Sequence, residues 1–200
     1  ARHQSDLANG FTPRQAIPLT ASTPCIYHAA MSYESRLQQS LRQLLLSQRT
    51  AVLAVQPLAD FINVSALPAP QISMVPWAWD AEFFTLVIHV SGLASHTQAM
   101  EQHPAVSLLV TATAQTGQGV HALERVSIQG VASTPPEGSV LWQGARKAYL
   151  ARFPEAEPMT ALGDFRFVCI TPQSGRHVAG FGAARDVDAQ DLIAALNPAA

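Results

Sequence analysis

The residues best suited to chemistry fall in one short run, Ser91-Gly92-Leu93-Ala94-Ser95-His96-Thr97. A stretch rich in Phe, Val and Ile ends at Ser91, and a short helical pattern begins within a few residues. Such a junction sets hydroxyls and free backbone N–H groups at a helix N-terminus, which favours an anion such as phosphate. His96 adds a donor that becomes cationic when held against phosphate. The same run also describes a serine-capped helix carrying an exposed histidine, and the local sequence does not choose between the two.

Other chemical patterns fail on context. Gly117, Gly119 and Ala122 fit G-x-G-x-x-A, but an alternating strand pattern follows where a dinucleotide site needs a helix, so they read as a hairpin loop. His89, His96 and His103 recur every seven residues, yet the first falls on a strand and the others on a helix, with no shared geometry for a metal. There is no phosphate-binding Walker loop and no nucleophile elbow. Cys25 and Cys169 are the only cysteines, far apart and without CxxC, which suggests neither a disulfide framework nor a zinc site. Cys169 lies in an alternating apolar run and reads as a small buried hydrophobe. Trp77, Trp79 and Trp142 could stack on a planar ligand, but core or interface packing ranks first.

The elements that must hold these residues follow from periodicity. Residues 1–31, with Pro13, Pro18 and Pro24, read as an irregular N-terminal arm, and 32–200 as one domain. Ser32 is placed to cap a helix to Arg49, with Tyr33, Leu37, Leu41, Leu44 and Leu45 as its buried stripe. Thr50 to Val55 is a strand, and Pro57 to Pro70 a loop. From Gln71 to Trp79, Ser73, Val75 and Trp77 share one face, and Ile72, Met74 and Ala78 the other. Phe83 to Ser91 is a strand, Ala94 to Gln102 a helix ended by Pro104, and Val106 to Val110 a strand. Leu123 to Ala132 alternates with Val126, Ile128 and Ala132 inward and Arg125, Ser127 and Gln129 outward, completing a hairpin. Residues 137–152 are helical. Phe165 to Thr171 is the last clear strand, followed by a glycine-punctuated segment, Gly175 to Gly182. Asp188 caps a final helix, with Asp191 at its third position and Val187 stapled on Leu192. Strands that follow strands, with helices at the margins, point to a mainly β antiparallel barrel rather than a doubly wound sheet.

Composition narrows the function classes. The 200 residues are 48% apolar and 13% charged, with a net charge of -2, so no basic field exists to hold nucleic acid or acidic lipid. So little charge over so much apolar surface suits self-association. No apolar run approaches the ~20 residues of a membrane span. No signal peptide is visible, and a cytoplasmic protein is expected.

Several segments, taken in order, resemble the FMN-binding split barrels, the pyridoxamine-phosphate-oxidase-like proteins. They are Ile72-Ser73-Met74-Val75-Pro76, Ser91-x-Leu93-Ala94-x-His96-Thr97, His103-Pro104 and Arg125-Val126-Ser127-Ile128-x-Gly130. Tyr149-Leu150-x-Arg152-Phe153-Pro154, Asp164-Phe165 and Val178-x-Gly180-Phe181-Gly182 are similar to the haem-utilisation (HugZ-like) branch of that superfamily. The resemblance implies an antiparallel split barrel working as a homodimer with its cofactor between subunits. It implies that the strand with Ser73, Met74, Val75 and Pro76 lies along FMN. It implies that Ser91, Ser95, His96 and Thr97 cradle the phosphate, and that Arg125 reaches the cofactor from the hairpin. Two departures stand out: Ser95-His96 replaces an Arg-Lys pair of the oxidases, and Ala99 stands where the haem-utilisation pattern has asparagine.

Three functions are therefore open. The first is an FMN-binding, oxidoreductase-like protein, for which no residue stands out as acid or base. The second is a haem-binding or haem-degrading protein, with His177 as iron ligand and Arg176 pairing a propionate, against the plainer reading of His177 as an exposed loop histidine. The third is a non-catalytic dimer whose cofactor cleft has decayed.

Overall fold

Strand alternation builds the molecule. In β1 (Thr50–Val55), Ala51, Leu53 and Val55 are buried while Thr50 and Val52 are not. A period of two turns one face of the strand inward. The same alternation recurs in β4 (Ala105–Thr111) and β5 (Arg125–Ser133), where Val126, Ile128 and Ala132 face in as expected. β2 (Gln71–Asp80) turns Val75 and Trp77 inward. This computed structural model describes residues 25–58 and 69–197. The expected N-terminal arm up to residue 24, most of the Pro57–Pro70 loop and the side chain of Tyr33 lie outside those residues.

All pairings are antiparallel, and the strands close in the order β1-β2-β3-β6-β5-β4 and back to β1. β3 is Thr85–Ser91 and β6 is Phe165–Gly180. β7 (Ala183–Asp188) extends the sheet from the far half of β6. Leu53, Trp77, Ile88, Leu108, Ile128 and Ile170 fill the barrel. Helix α2 (Ser95–Gln102) adds Ala99 and Met100 to that core at one end. Helices α1 (Cys25–Ser47) and α4 (Ala189–Leu196) add Leu41, Leu45 and Leu192 at the other. Outside the barrel, α3 (Val140–Arg152) covers β2, β3 and β6. Its Ala145 and Tyr149 pack with Ala78, Val87, Phe167 and Cys169 in a second cluster. β3 is thus buried on both faces.

Two features of the haem-utilisation motif prove structural. Arg152 donates to the carbonyls of Gln48 at 2.6 Å, Leu46 at 3.3 Å and Leu45 at 3.4 Å, satisfying the orphan end of α1, and stacks 4.7 Å over Trp77. Phe153 is buried beneath Arg49, whose guanidinium lies 4.7 Å from its ring.

Several boundaries differ from the sequence reading. α1 begins at Cys25, so Ser32 is an interior helical residue and not the cap. Residues 81–84 form a turn, and β3 starts at Thr85 rather than Phe83. α3 starts at Val140, where the Ser139 hydroxyl accepts from the Trp142 amide at 3.2 Å. The segment Gly175 to Gly182 is no loop: β6 runs on to Gly180 and returns as β7. Gly175 belongs there because a Cβ would lie 2.4 Å from the Ser127 carbonyl oxygen, so the close approach of β5 demands glycine within a strand. The cap at Asp188 and the burial of Val187 with Leu192 agree with expectation.

Candidate functional site

The barrel is split along one seam. β2 pairs with β1 along 71–76 but with β3 only along 77–80. The remaining length of β3 pairs with β6 instead. The outer backbone groups of residues 71–76 are therefore a free strand edge, a row of donors and acceptors outside any ladder. α2 stands at this opening, and there His96 Nδ1 lies 3.1 Å from Ser73 Oγ. His96 is half-buried, and burial holds its pKa below the ordinary histidine value, so the ring is neutral near pH 7. With Nδ1 engaged by the hydroxyl, Nε2 is the nitrogen left for a ligand or solvent.

The loop leading into α2 is tied down by its own neighbours. Ser91 Oγ donates to Asp164 Oδ2 at 2.9 Å and accepts from the Leu93 amide at 3.1 Å. The Gly92 amide donates to the Asp164 carbonyl at 2.6 Å. Thr97 is buried, and its hydroxyl donates to the Ser91 carbonyl at 2.7 Å. The Arg166 guanidinium crosses Gly92 so closely that a Cβ there would lie 2.1 Å from Nη2. Arg166 in turn pairs with Glu101 at 2.6 Å. The N-cap of α2 is Ala94, without a side-chain cap, so the expected serine cap is absent; Ser95 is the exposed first residue of the helix.

Of the residues singled out by sequence, the structure joins Ser73 to His96 and links them through the loop to Ser91, Ser95 and Thr97. Two of those hydroxyls, Ser91 and Thr97, are already committed to protein partners. Met74 is 67% exposed beside Ile72 at 71%, Val75 is buried in the core, and Pro76 is half-buried. Arg125 begins β5, three strands from β2, which is about 14 Å at the usual strand spacing. It donates to the Leu123 carbonyl at 3.0 Å and does not meet Ser73 or His96 within one protomer.

His177 is neither exposed nor in a loop. It lies on β6 with 0% exposure, its Nε2 2.9 Å from Glu124 Oε1, and the same carboxylate receives the Ser40 hydroxyl. Arg176 points to the opposite face, where it pairs with Asp186 at 2.7 Å. Strand alternation sends the two neighbours to opposite sides, so they do not converge on one ligand. Sequence reasoning missed Asp164 and Arg166, whose partners lie 73 and 65 residues away. The Asp164-Phe165 dipeptide was a signal for the first; Arg166 left none. No group of three metal-ligating side chains occurs among the described residues. No helix among them is long and apolar enough to cross a membrane.

No family model matches the chain. It is 27% identical over 162 residues to heme oxygenase HutZ of Vibrio cholerae, a match covering 80% of this chain and 86% of that protein. It is 34% identical over 115 residues to the chloroplastic non-canonical heme oxygenase HOZ of Arabidopsis thaliana, covering 58% of this chain and only 33% of that protein. Among solved structures, the heme binding protein from Mycobacterium smegmatis superposes with a TM-score of 0.65 at 22% identity, over 79% of this chain and 60% of that one. The split-barrel fold is common to them, and the resemblance in sequence runs to the haem-utilisation branch.

Proposed function

We propose, for a split barrel whose sequence relatives lie in the haem-utilisation branch, that this chain binds haem between two copies of itself, at the open edge of β2. The observation that carries the reading is the Ser73–His96 contact of 3.1 Å at that edge. Ser73 holds the imidazole by Nδ1 and leaves Nε2 for iron, the usual outer-shell arrangement for a ligating histidine. Burial keeps the ring neutral, as ligation requires. Ile72 and Met74, strongly exposed, offer apolar contact to a porphyrin face. Haem bound there would supply its own iron chemistry, including the oxygenase activity for which HutZ and HOZ are named.

The second copy is argued from the face beside this edge. Val52, Leu109 and Met74 lie side by side on the outer surface of β1, β4 and β2, each exposed, with no helix of this chain over them. A partner protomer laid there would bring a second Arg125 toward the first protomer's site, where its guanidinium would pair a propionate. The buried His177 is not the iron ligand in this reading. Flavin is the lesser reading, because the Asp164 carboxylate on Ser91 sets negative charge where a phosphate would sit.

Haemin titration followed by the Soret band tests this. We expect a ligated Soret band, its loss with roughly tenfold or greater weakening in His96→Ala, a smaller weakening in Ser73→Ala, and an unchanged band in His177→Ala. A His96→Ala protein with the same spectrum and affinity sinks the assignment. Tighter binding of FMN than of haemin reinstates the flavin.

A further inference from the structure

A cavity of about 310 Å³ lies outside the barrel, among β3, β6, α3 and the loops at 134–137 and 160–163. Its floor is aromatic. The His89 ring lies 4.5 Å from Phe167 and 5.2 Å from Phe165, and Trp142 meets Phe167 edge-on at 5.7 Å. Its rim is polar, with Thr134, Thr160, Glu137 and Arg166. His89 is only 7% exposed, and its Nδ1 is buried without a hydrogen-bond partner. An unpaired buried polar atom is destabilising, and nothing else in the fold accounts for a histidine here rather than a phenylalanine.

We propose that this cavity binds a small planar aromatic monocarboxylate, its ring against His89, Phe165, Phe167 and Trp142 and its carboxylate on Arg166. The volume sits at the small end of the roughly 300–1,000 Å³ typical of ligand sites, enough for a single substituted ring and too small for a macrocycle. Ring walls select a flat, polarisable ligand, since aromatic pairs gain from edge and offset contacts that a saturated ring lacks. Arg166 is the cation of the lining, and its present partner Glu101 uses Nη1 alone in a part-exposed pair of little strength. Its other N–H groups stay available for a carboxylate. Glu137 on the same rim repels a second negative charge, which restricts the ligand to a monoanion. On β3, Ile88 and Val90 face the barrel while His89 faces outward, so this site is separate from the Ser73–His96 edge and its test needs no haem.

Calorimetric titration of the full chain with benzoate is the experiment, with cyclohexanecarboxylate and benzamide as matched probes lacking the flat ring or the charge. Benzoate should bind saturably below the millimolar range, and each control should bind about tenfold more weakly or not at all. Arg166→Gln should weaken benzoate about tenfold, and Ala161→Trp, which fills the exposed rim, should abolish it. Benzoate should also shift the His89 ring resonances in NMR spectra. No binding at about 10 mM benzoate, equal binding of cyclohexanecarboxylate, or undiminished affinity in either variant would overturn the proposal.

Discussion

The barrel has two outer faces made of similar residues with opposite fates. On β3 and β6, Val87, Phe167 and Cys169 point outward and are buried, because Ala145 and Tyr149 of α3 lie over them. On β2, β1 and β4, Ile72, Met74, Val52 and Leu109 also point outward, and they are exposed. The alternating pattern is the same in both. Outward apolar residues therefore do not say by themselves what covers them: on one face the chain supplies a helix, and on the other it supplies nothing among the described residues.

The sharpest way to break this contrast is truncation. Phe167→Ala should cost about 3–5 kcal/mol in urea unfolding, whereas Met74→Ala should stay within about 0.5 kcal/mol of the parent under conditions that keep the protomer alone. Comparable losses in the two variants would make the faces equivalent and end the comparison. A slightly smaller effect is expected from pH. Burial lowers the His89 pKa from 6.5 to about 4, so the folded state resists a proton that the unfolded chain accepts. Stability contributed by this site is then complete above pH 6.5 and falls as pH drops towards 4. The loss is about 3 kcal/mol and ends below both values. His89→Leu should flatten that part of the stability–pH curve; a curve of unchanged slope would show that the covered face tolerates charge. The least effect on protomer stability belongs to the bare face. Ile72→Asp with Met74→Asp should leave the unfolding midpoint nearly unmoved while sedimentation reports monomers where the parent sediments as a dimer. A parent that is monomeric at all concentrations would remove the partner from the argument.

What could be read from sequence was local. The alternation of β2 and β5, the hairpin of β4 with β5, and the capping box of Asp188 with Asp191 are short-range patterns, and they hold. The far half of β6 was misread because glycine is ordinarily a loop signal. Here Gly175 answers a contact with Ser127 on another strand, which no local window contains. That error carried His177 with it, from a paired strand interior into an imagined loop. At the site, the serine and histidine types were legible, but their partners were not. Ser73 finds His96 across 23 residues and Ser91 finds Asp164 across 73, distances fixed only once the barrel closes.

Closure through β3 and β6 also has a consequence for the order of events on the ribosome. β3 ends at Ser91, yet the strand that seals it begins at Phe165, so more than seventy residues must emerge before the two can meet. Until then the nascent chain holds an open sheet with one flank of β3 and one of β5 waiting, and both are claimed by the same late strand. A chain stalled before residue 165 has every other barrel strand and no barrel, and it presents sticky margins to whatever chaperone or sister chain is nearest.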